Sequence, residues 1–481
     1  MTLAIWWIRR DLRLGDNPAL SAALRHHKVI PLYIHAPEEE GAAAPGAASR
    51  WWLHHGLQAL DAQLRGMGSR LVVREGRSAL SVLEAITRET SAEAVYWNRQ
   101  YAPTQIERDK GVKAALRGKG IHAESFNAAL LFEPWVIERE GKPYRVFTPY
   151  WNACLKHGID QPVLPSPVVM PQIPSSIQDL PLGTLGLLPK IPWALGLEER
   201  WSPGEAAAWK KLERFLDQAL EGYKTHRDRP GIEGTTRLSP HLHFGEIGPR
   251  QVVRTVMSRL GGVINADAAH FFSELGWREF SHHLLFHFPH TVDHPMDRRW
   301  NAFPWPAVDP RLWQAWITGC TGIPLVDAGM RELWHTGWMH NRVRMNAASL
   351  LVKNMLIPWQ EGERWFWDTL VDADLANNIQ GWQWTAGCGA DAAPYFRIFN
   401  PGLQGERFDG SGEYVRRWLP ELVSLPDRWL HRPWAAPANV LCDAGLRLGE
   451  HYPHPVVDLG ESRSRALASF AQLKATKINL T

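Results

Sequence analysis

The sequence predicts an α/β N-terminal domain with a doubly wound, Rossmann-like parallel sheet, followed by an all-α C-terminal domain, the two joined by a long proline-rich linker. Three observations carry this. Short apolar, β-rich runs at 3–8, 29–36, 70–75, 92–98 and 121–126 alternate with helical patterns such as Pro18–His27 and Trp51–Arg65. Eight prolines stand between 161 and 192, with no helical or strand period, and proline is excluded from helix interiors and central strands. Beyond about Gly196 the chain reads as long helical runs, among them Glu205–Glu221, Asp267–Phe286 and Val326–Leu356, broken at turns containing Pro and Gly. The expected boundaries are 1–130 for the α/β domain, 131–195 for the linker and 196–481 for the helical domain.

Composition narrows the function classes. A chain of 481 residues exceeds a single ordinary core. It opens Met-Thr-Leu-Ala-Ile-Trp-Trp-Ile and runs at once into Arg9, Arg10 and Asp11, as a first strand does and a secretory leader does not. No apolar run approaches the roughly 18 residues of a membrane span, so no membrane association is expected. The four cysteines, Cys154, Cys320, Cys388 and Cys442, lack C-x-x-C spacing, which leaves no sign of a disulfide framework, a zinc site or an iron–sulfur site and points to a reducing, cytoplasmic setting. A net charge of +3 does not announce a nucleic-acid binder, and such a role needs a local basic patch. The 25 tryptophans, most of them beyond residue 195, supply buried area and stacking surface, and an aromatic helical core accounts for the majority.

No glycine-rich phosphate loop stands where it would matter. Gly387-Cys388-Gly389 follows a Trp-rich helix instead of a strand, and Gly66-Met67-Gly68 ends a helix and precedes a strand. A nucleotide would be held some other way. Thr235, Thr236, Arg237, Leu238 and Ser239, with Tyr223 before them, offer hydroxyls, a guanidinium and backbone N–H groups that can hold a diphosphate, although such clusters also make turns and caps.

Four further segments carry chemistry. Helical spacing puts Glu274 beside Trp277 and Arg278, either as an exposed Glu–Arg pair next to a core indole or as a ligand-facing set. Asn341, Arg342 and Met345 fall within one turn; an amide, a cation and a thioether suit a planar heteroaromatic ligand, and a solvated helix face is equally open. Asp372, Asp374 and Asn378 lie close together without a neighbouring His or a third acidic ligand, so hydrogen bonding to a sugar hydroxyl or ring N–H is expected, and no metal. Trp382 and Trp384 point about 200° apart on a helix. One can face an interior cofactor while the other lines a pocket.

In this order the segments resemble the cryptochrome/photolyase family along essentially the whole chain. The resemblance rests on 6–17 (Trp-Trp-Ile-Arg-Arg-Asp-Leu-Arg-Leu-Gly-Asp-Asn), 233–239, 274–280, 337–345 and 372–384, and on Asp-Ala-Ala-Pro-Tyr-Phe-Arg-Ile-Phe-Asn-Pro at 391–401. It implies FAD bound in a U shape within the helical domain. Tyr223, Thr235, Thr236, Arg237, Leu238, Ser239 and Arg278 would then hold the phosphates and ribityl chain. Asp372, Asp374 and Asn378 would contact the adenine–ribose side and the isoalloxazine, with Glu274, Trp338 and Asn341 also bordering the cofactor. Asn378 falls where photolyases place an amide near flavin N5, which favours fully reduced, anionic flavin; plant-type cryptochromes usually carry Asp there.

The same resemblance implies light-driven repair of cyclobutane pyrimidine dimers in single- or double-stranded DNA by a monomer, cytoplasmic and nucleoid-associated when bound. Glu274, Trp277, Asn341, Arg342, Met345 and Trp384 match positions that meet a flipped-out dimer. The tryptophan relay that photoreduces the flavin maps onto Trp382, Trp359 and Trp305. Arg344 and Arg397 are candidates, beside Arg342, for DNA phosphates. An antenna chromophore, most commonly methenyltetrahydrofolate, is expected in the N-terminal domain, with Arg9, Asp11 and Glu38 as positional candidates. Phe303-Pro304-Trp305, Trp365-Phe366-Trp367-Asp368 and Tyr414 to Pro420 mix bacterial-photolyase and plant-cryptochrome features, as class III dimer photolyases do. The competing readings are a plant-like cryptochrome photoreceptor, whose mark would be a long polar C-terminal extension, a (6-4) photolyase, whose lesion-facing histidine pair is replaced here by His340-Asn341, and a flavin oxidoreductase, for which no nicotinamide site is found.

Overall fold

The computed structural model describes residues 2–174 and 176–475; Met1, Ser175 and 476–481, the end of the expected helical domain, lie outside the described residues. Five strands, β1 (Leu3–Ile8), β2 (Lys28–His35), β3 (Val72–Glu75), β4 (Ala94–Asn98) and β5 (His122–Phe126), form one parallel sheet in the order β3-β2-β1-β4-β5. The run Leu-Ala-Ile-Trp-Trp-Ile of β1 is buried on both faces, as a central parallel strand requires. It pairs with β2 (Ile5 opposite Ile30) and with β4 (Ile5 opposite Val95), so the strand order reverses at β1.

Helices α1 (Pro18–Ala23) and α2 (Ala47–Gly66) cover one face of the sheet, and α3 (Ala79–Thr90) and α4 (Pro103–Gly118) the other. The α2 side shares its apolar cluster with Leu197, Trp201, Phe244, Trp338 and Val371 of the helical part, so the two parts meet across a common core.

The stretch expected as linker, 131–195, is only partly one. Helix α5 (Phe147–His157) lies within it, and its buried Phe147, Tyr150 and Trp151 pack into a helical core because they recur on one helical face. The helical part then supplies α6 (Glu205–Gln218), α7 (Ala266–His287), α8 (Pro324–Thr336), α9 (Asn341–Ser349), α10 (Trp359–Thr369) and α11 (Leu375–Ala386). The run expected as one helix over Val326–Leu356 is divided. Gly337 adopts φ +66, the left-handed conformation that ends α8, and His340 restarts the chain by accepting a hydrogen bond from Arg342 N at 3.2 Å as the N-cap of α9. A π-helical turn, Leu350–Asn354, follows α9.

One buried guanidinium ties the two parts together. Arg13, 1% exposed, donates Nε to Gly15 O (3.0 Å), Nη1 to Gly245 O (2.9 Å), and Nη2 to Asp16 O and Ala128 O (both 2.8 Å). The neighbouring backbone N–H groups of Leu14 and Gly15 donate to the buried Glu205 carboxylate of α6 at 2.9 and 3.3 Å. Arg13→Met should therefore cost about 3–5 kcal/mol, because carbonyls from three segments lose their partner in a dry interior. Arg13→Lys should recover little, since an ammonium cannot reach all of them. Calorimetry measures this, and an unmoved unfolding midpoint would show that the junction is held elsewhere.

Candidate active site

A cavity of about 830 Å3 opens among α7, α9, α11 and the segments 223–242 and 370–374. Tyr223, Thr236, Leu238, Ser239, Glu274, Trp277, Arg278, Trp338, Asn341, Arg342, Met345, Asp372, Asp374, Asn378, Trp382 and Trp384 all line it. Residues expected from five separate motifs are thus brought into one space. Thr235 and Arg237 do not line it. Arg237, at φ +52, lays its guanidinium 4.7 Å from the Trp338 ring, which itself faces the cavity.

The floor is the turn Asp372-Ala373-Asp374. Asp372 accepts from Ser239 Oγ at 2.6 Å and from Arg344 Nη2 at 2.9 Å. Arg344, expected on a DNA-facing rim, is turned inward because this buried carboxylate needs a cation, and its Nε also donates to Met339 O at 2.7 Å. Asp374 is the N-cap of α11 and accepts from Asn377 N at 3.0 Å. Its oxygens lie 3.4 Å from His243 Nδ1 and 3.5 Å from His282 Nε2. Burial pushes its carboxyl up, but His282, His243 and Arg278 outweigh this and hold it well below the usual carboxylate range. Burial also drives His282 down to about 4, with the Asp374 carboxylate acting against it.

Asn378 Nδ2 donates to Glu363 Oε1 at 2.8 Å and to Glu363 O at 3.1 Å. Its amide oxygen is the end left for the cavity. Burial raises the Glu363 carboxyl to about 7, with the Asn378 hydrogen bond acting against it. Nothing in the motif pattern pointed to Glu363, which reaches Asn378 from α10.

Of the two readings of this segment, the Glu274–Arg278 pair does not form, and both side chains line the cavity. Arg278 Nη1 donates to Ala129 O at 2.7 Å, while Glu274 pairs with Arg227. Arg342 pairs with Asp228 at 2.7 Å. Arg227 and Asp228 both line the cavity, and no sequence motif singled them out. Trp277 stacks on Phe147 with centroids 3.8 Å apart and planes 8° apart, which immobilises it. Asn341 Nδ2 lies 3.9 Å from Met345 Sδ, as their one-turn spacing implied.

Trp382 faces the cavity on one side and the apolar core on the other, where it meets Phe366 (5.0 Å) and Trp316 (6.2 Å) edge-on. Gly362 of α10 permits this approach: a Cβ there would lie 2.1 Å from the Trp382 ring. Trp359 is buried in the same apolar cluster, and Trp305 packs at its edge on Phe303 at 4.3 Å. Trp316 and Trp313, 5.7 Å apart, extend the aromatic contact and were missed in the sequence.

The antenna candidates fare differently. Arg9 lines a smaller cavity of about 120 Å3 at the C-terminal ends of β1 and β2, but its guanidinium is bound to Asp109 at 2.8 Å. Asp11 is buried, accepting from Asn98 Nδ2 (2.7 Å) and Arg9 N (2.8 Å), so it shapes the loop after β1 and does not line that cavity. Glu38 is exposed outside it, and Glu39 and Glu40 line it instead. Arg397 is exposed, with its carbonyl accepting from Lys353 Nζ at 3.2 Å.

The donor set suits a flavin dinucleotide. Hydroxyls and guanidinium groups (Thr236, Ser239, Arg278) meet the needs of a diphosphate, Asp372 and Asp374 accept from sugar or ring N–H groups, and the volume lies in the range of cofactor sites, roughly 300–1,000 Å3. Residues 271–472 match the family model described as the FAD binding domain of DNA photolyase, and residues 4–170 the model described as DNA photolyase. A deoxyribodipyrimidine photo-lyase of Agrobacterium fabrum is 47% identical over 98% of this chain and 98% of its own. Cryptochrome-1 of Arabidopsis thaliana is 41% identical over 98% of this chain and 71% of its own. The crystal structure of a bacterial class III photolyase from Agrobacterium tumefaciens superposes with a TM-score of 0.95 at 46% identity, covering 99% of this chain and 98% of that one. By sequence along its whole length and by fold, the chain belongs to the cryptochrome/photolyase family.

Proposed function

We propose that this protein is a class III-type photolyase that uses FAD and blue light to split cyclobutane pyrimidine dimers in DNA. The observation that carries the repair reading is the convergence of Glu274, Trp277, Asn341, Arg342, Met345 and Trp384 on the mouth of the same cavity as the flavin-type donor set. When bound, FAD in its reduced and light-excited state would supply an electron to the dimer and take it back once the ring has opened, so that the splitting is redox-neutral overall. The residues do the rest. Thr236, Ser239 and Arg278 hold the diphosphate, and Asp372 and Asp374 accept from the sugar and ring N–H groups. Asn378, its Nδ2 engaged by Glu363, offers an acceptor that suits a flavin bearing N5–H and hence the reduced state.

Trp277, held rigid by Phe147, and Trp384 provide faces for the two extruded bases. Such stacking contributes about 1–3 kcal/mol per base, comparable with the few kcal/mol that flipping costs. Glu274 and Asn341 meet the polar base edges, where hydrogen bonds strengthen as water is excluded. Trp382, with Trp359 and Trp305 behind it, conducts electrons from the surface when oxidised flavin is photoreduced. Exposed Arg397 meets DNA phosphates, so binding weakens as salt rises. The protein acts as a monomer, and methenyltetrahydrofolate is the antenna chromophore expected from the family resemblance. The small cavity beside Arg9, at about 120 Å3, is too confined for a folate as it stands.

Purified protein with chemically reduced FAD, mixed with an oligonucleotide carrying one thymine dimer, should restore two thymines under blue light and none in the dark. No restoration with FAD bound would overturn the repair reading and favour a photoreceptor. Trp382→Phe should slow photoreduction of oxidised FAD at least tenfold, an estimate from losing the ring nearest the cofactor, because about 1.4 kcal/mol of barrier is a factor of ten. Repair by the chemically reduced variant should persist, and loss of both together would show that Trp382 is not a relay residue.

A further inference from the structure

Two consecutive residues at the cavity mouth carry ion pairs of opposite sign to the two charges assigned to the lesion. Arg227 pairs with Glu274 of α7, and Asp228 Oδ1 accepts from Arg342 Nη2 of α9 at 2.7 Å. Their backbone is anchored as well. Arg227 N donates to Tyr223 O at 3.0 Å, and the Arg227 carbonyl faces the buried ring of His340, the residue that caps α9. The Arg342 guanidinium is further seated over Phe408, 4.5 Å from its centroid. One dipeptide therefore bridges α7 and α9 and leaves neither Glu274 nor Arg342 free to wander among rotamers.

Long charged side chains lose conformational entropy when they are ordered on binding, and ordering them beforehand spares that loss. We propose that Arg227 and Asp228 are positioning residues. They form a clasp that presets Glu274 and Arg342 for the bases of a pyrimidine dimer, and neither serves DNA as a phosphate contact. This rests on the dimer-repair reading above.

The test uses FAD-loaded Arg227→Gln and Asp228→Asn proteins, each checked for flavin content. Binding is measured by fluorescence anisotropy over a range of salt, with a single-stranded oligonucleotide carrying one thymine dimer and with its undamaged counterpart. In both variants affinity for the dimer should fall about tenfold, the usual scale for a charge-assisted contact, with affinity for undamaged DNA and the salt slope unchanged. Asp228→Asn is the sharper arm. Removing a carboxylate from a DNA-binding face should by simple electrostatics tighten binding to all DNA, whereas the clasp requires weaker binding to the dimer alone. Asp228→Glu should restore much of the preference.

Equal losses for damaged and undamaged DNA in Arg227→Gln, with a salt slope shallower by about 0.7, would make Arg227 a phosphate contact and overturn the proposal. Unchanged dimer affinity in both variants would overturn it too. A wild-type protein with no preference for the dimer would instead remove the repair reading itself, and the clasp with it.

Discussion

Burying two carboxylates two residues apart governs how this cavity is assembled. An ionised carboxylate in a dry interior costs several kcal/mol unless cations and donors surround it. Asp372 draws Ser239 and Arg344, and Asp374 draws His243, His282 and the first turn of α11. Those partners come from four places in the chain. Satisfying the two acids therefore sets the relative positions of the segment after Tyr223, of α7, of α9 and of α11. The same pairing explains why Arg344 faces inward. A surface phosphate cannot compete with the buried Asp372 carboxylate, which pairs with no other arginine among the described residues.

What could be read in the sequence follows from the range of the interactions involved. The strands were legible because their pattern is local: β1 is a short apolar run, and β5 alternates exposed and buried positions along its own length. The flavin and lesion motifs were legible as residue types. Their partners were not. Glu274 and Arg278 stand four residues apart on one helix, yet Glu274 takes Arg227, which lies 47 positions away, and Arg278 takes a backbone carbonyl of the 128–132 segment. Helical spacing shows who can meet along one helix and is silent about a stronger offer from another. The break between α8 and α9 was missed for a related reason. Apolar periodicity continues through Gly337, and only the left-handed backbone there, together with the cap at His340, divides the helix.

The cavity wall also separates what this chain shares with cryptochromes from what bears on repair. Arabidopsis cryptochrome-1 is similar along 98% of this chain, so acids that hold a flavin do not distinguish the two activities. Beside the acids, Trp277 is stacked against Phe147 and Met345 packs beside Asn341, so apolar surface and the Arg227–Glu274 and Asp228–Arg342 ion pairs share the cavity wall.

Trp382 links this chemistry to the stability of the helical part. One side of its ring belongs to the cavity and the other to a core containing Trp316, Phe366 and Trp359. Its closeness to α10 depends on Gly362 lacking a side chain. Electron transfer through aromatic rings and close packing both demand short distances between large apolar groups, so one arrangement meets both requirements. The consequence is a constraint on change. A bulkier residue at 362 would displace Trp382 from its neighbours, while α10 also carries Glu363, the partner of Asn378. Movement of that single helix would therefore reach Trp382 and Asn378 together, so the packing of the ring and the seating of the amide are mechanically one unit.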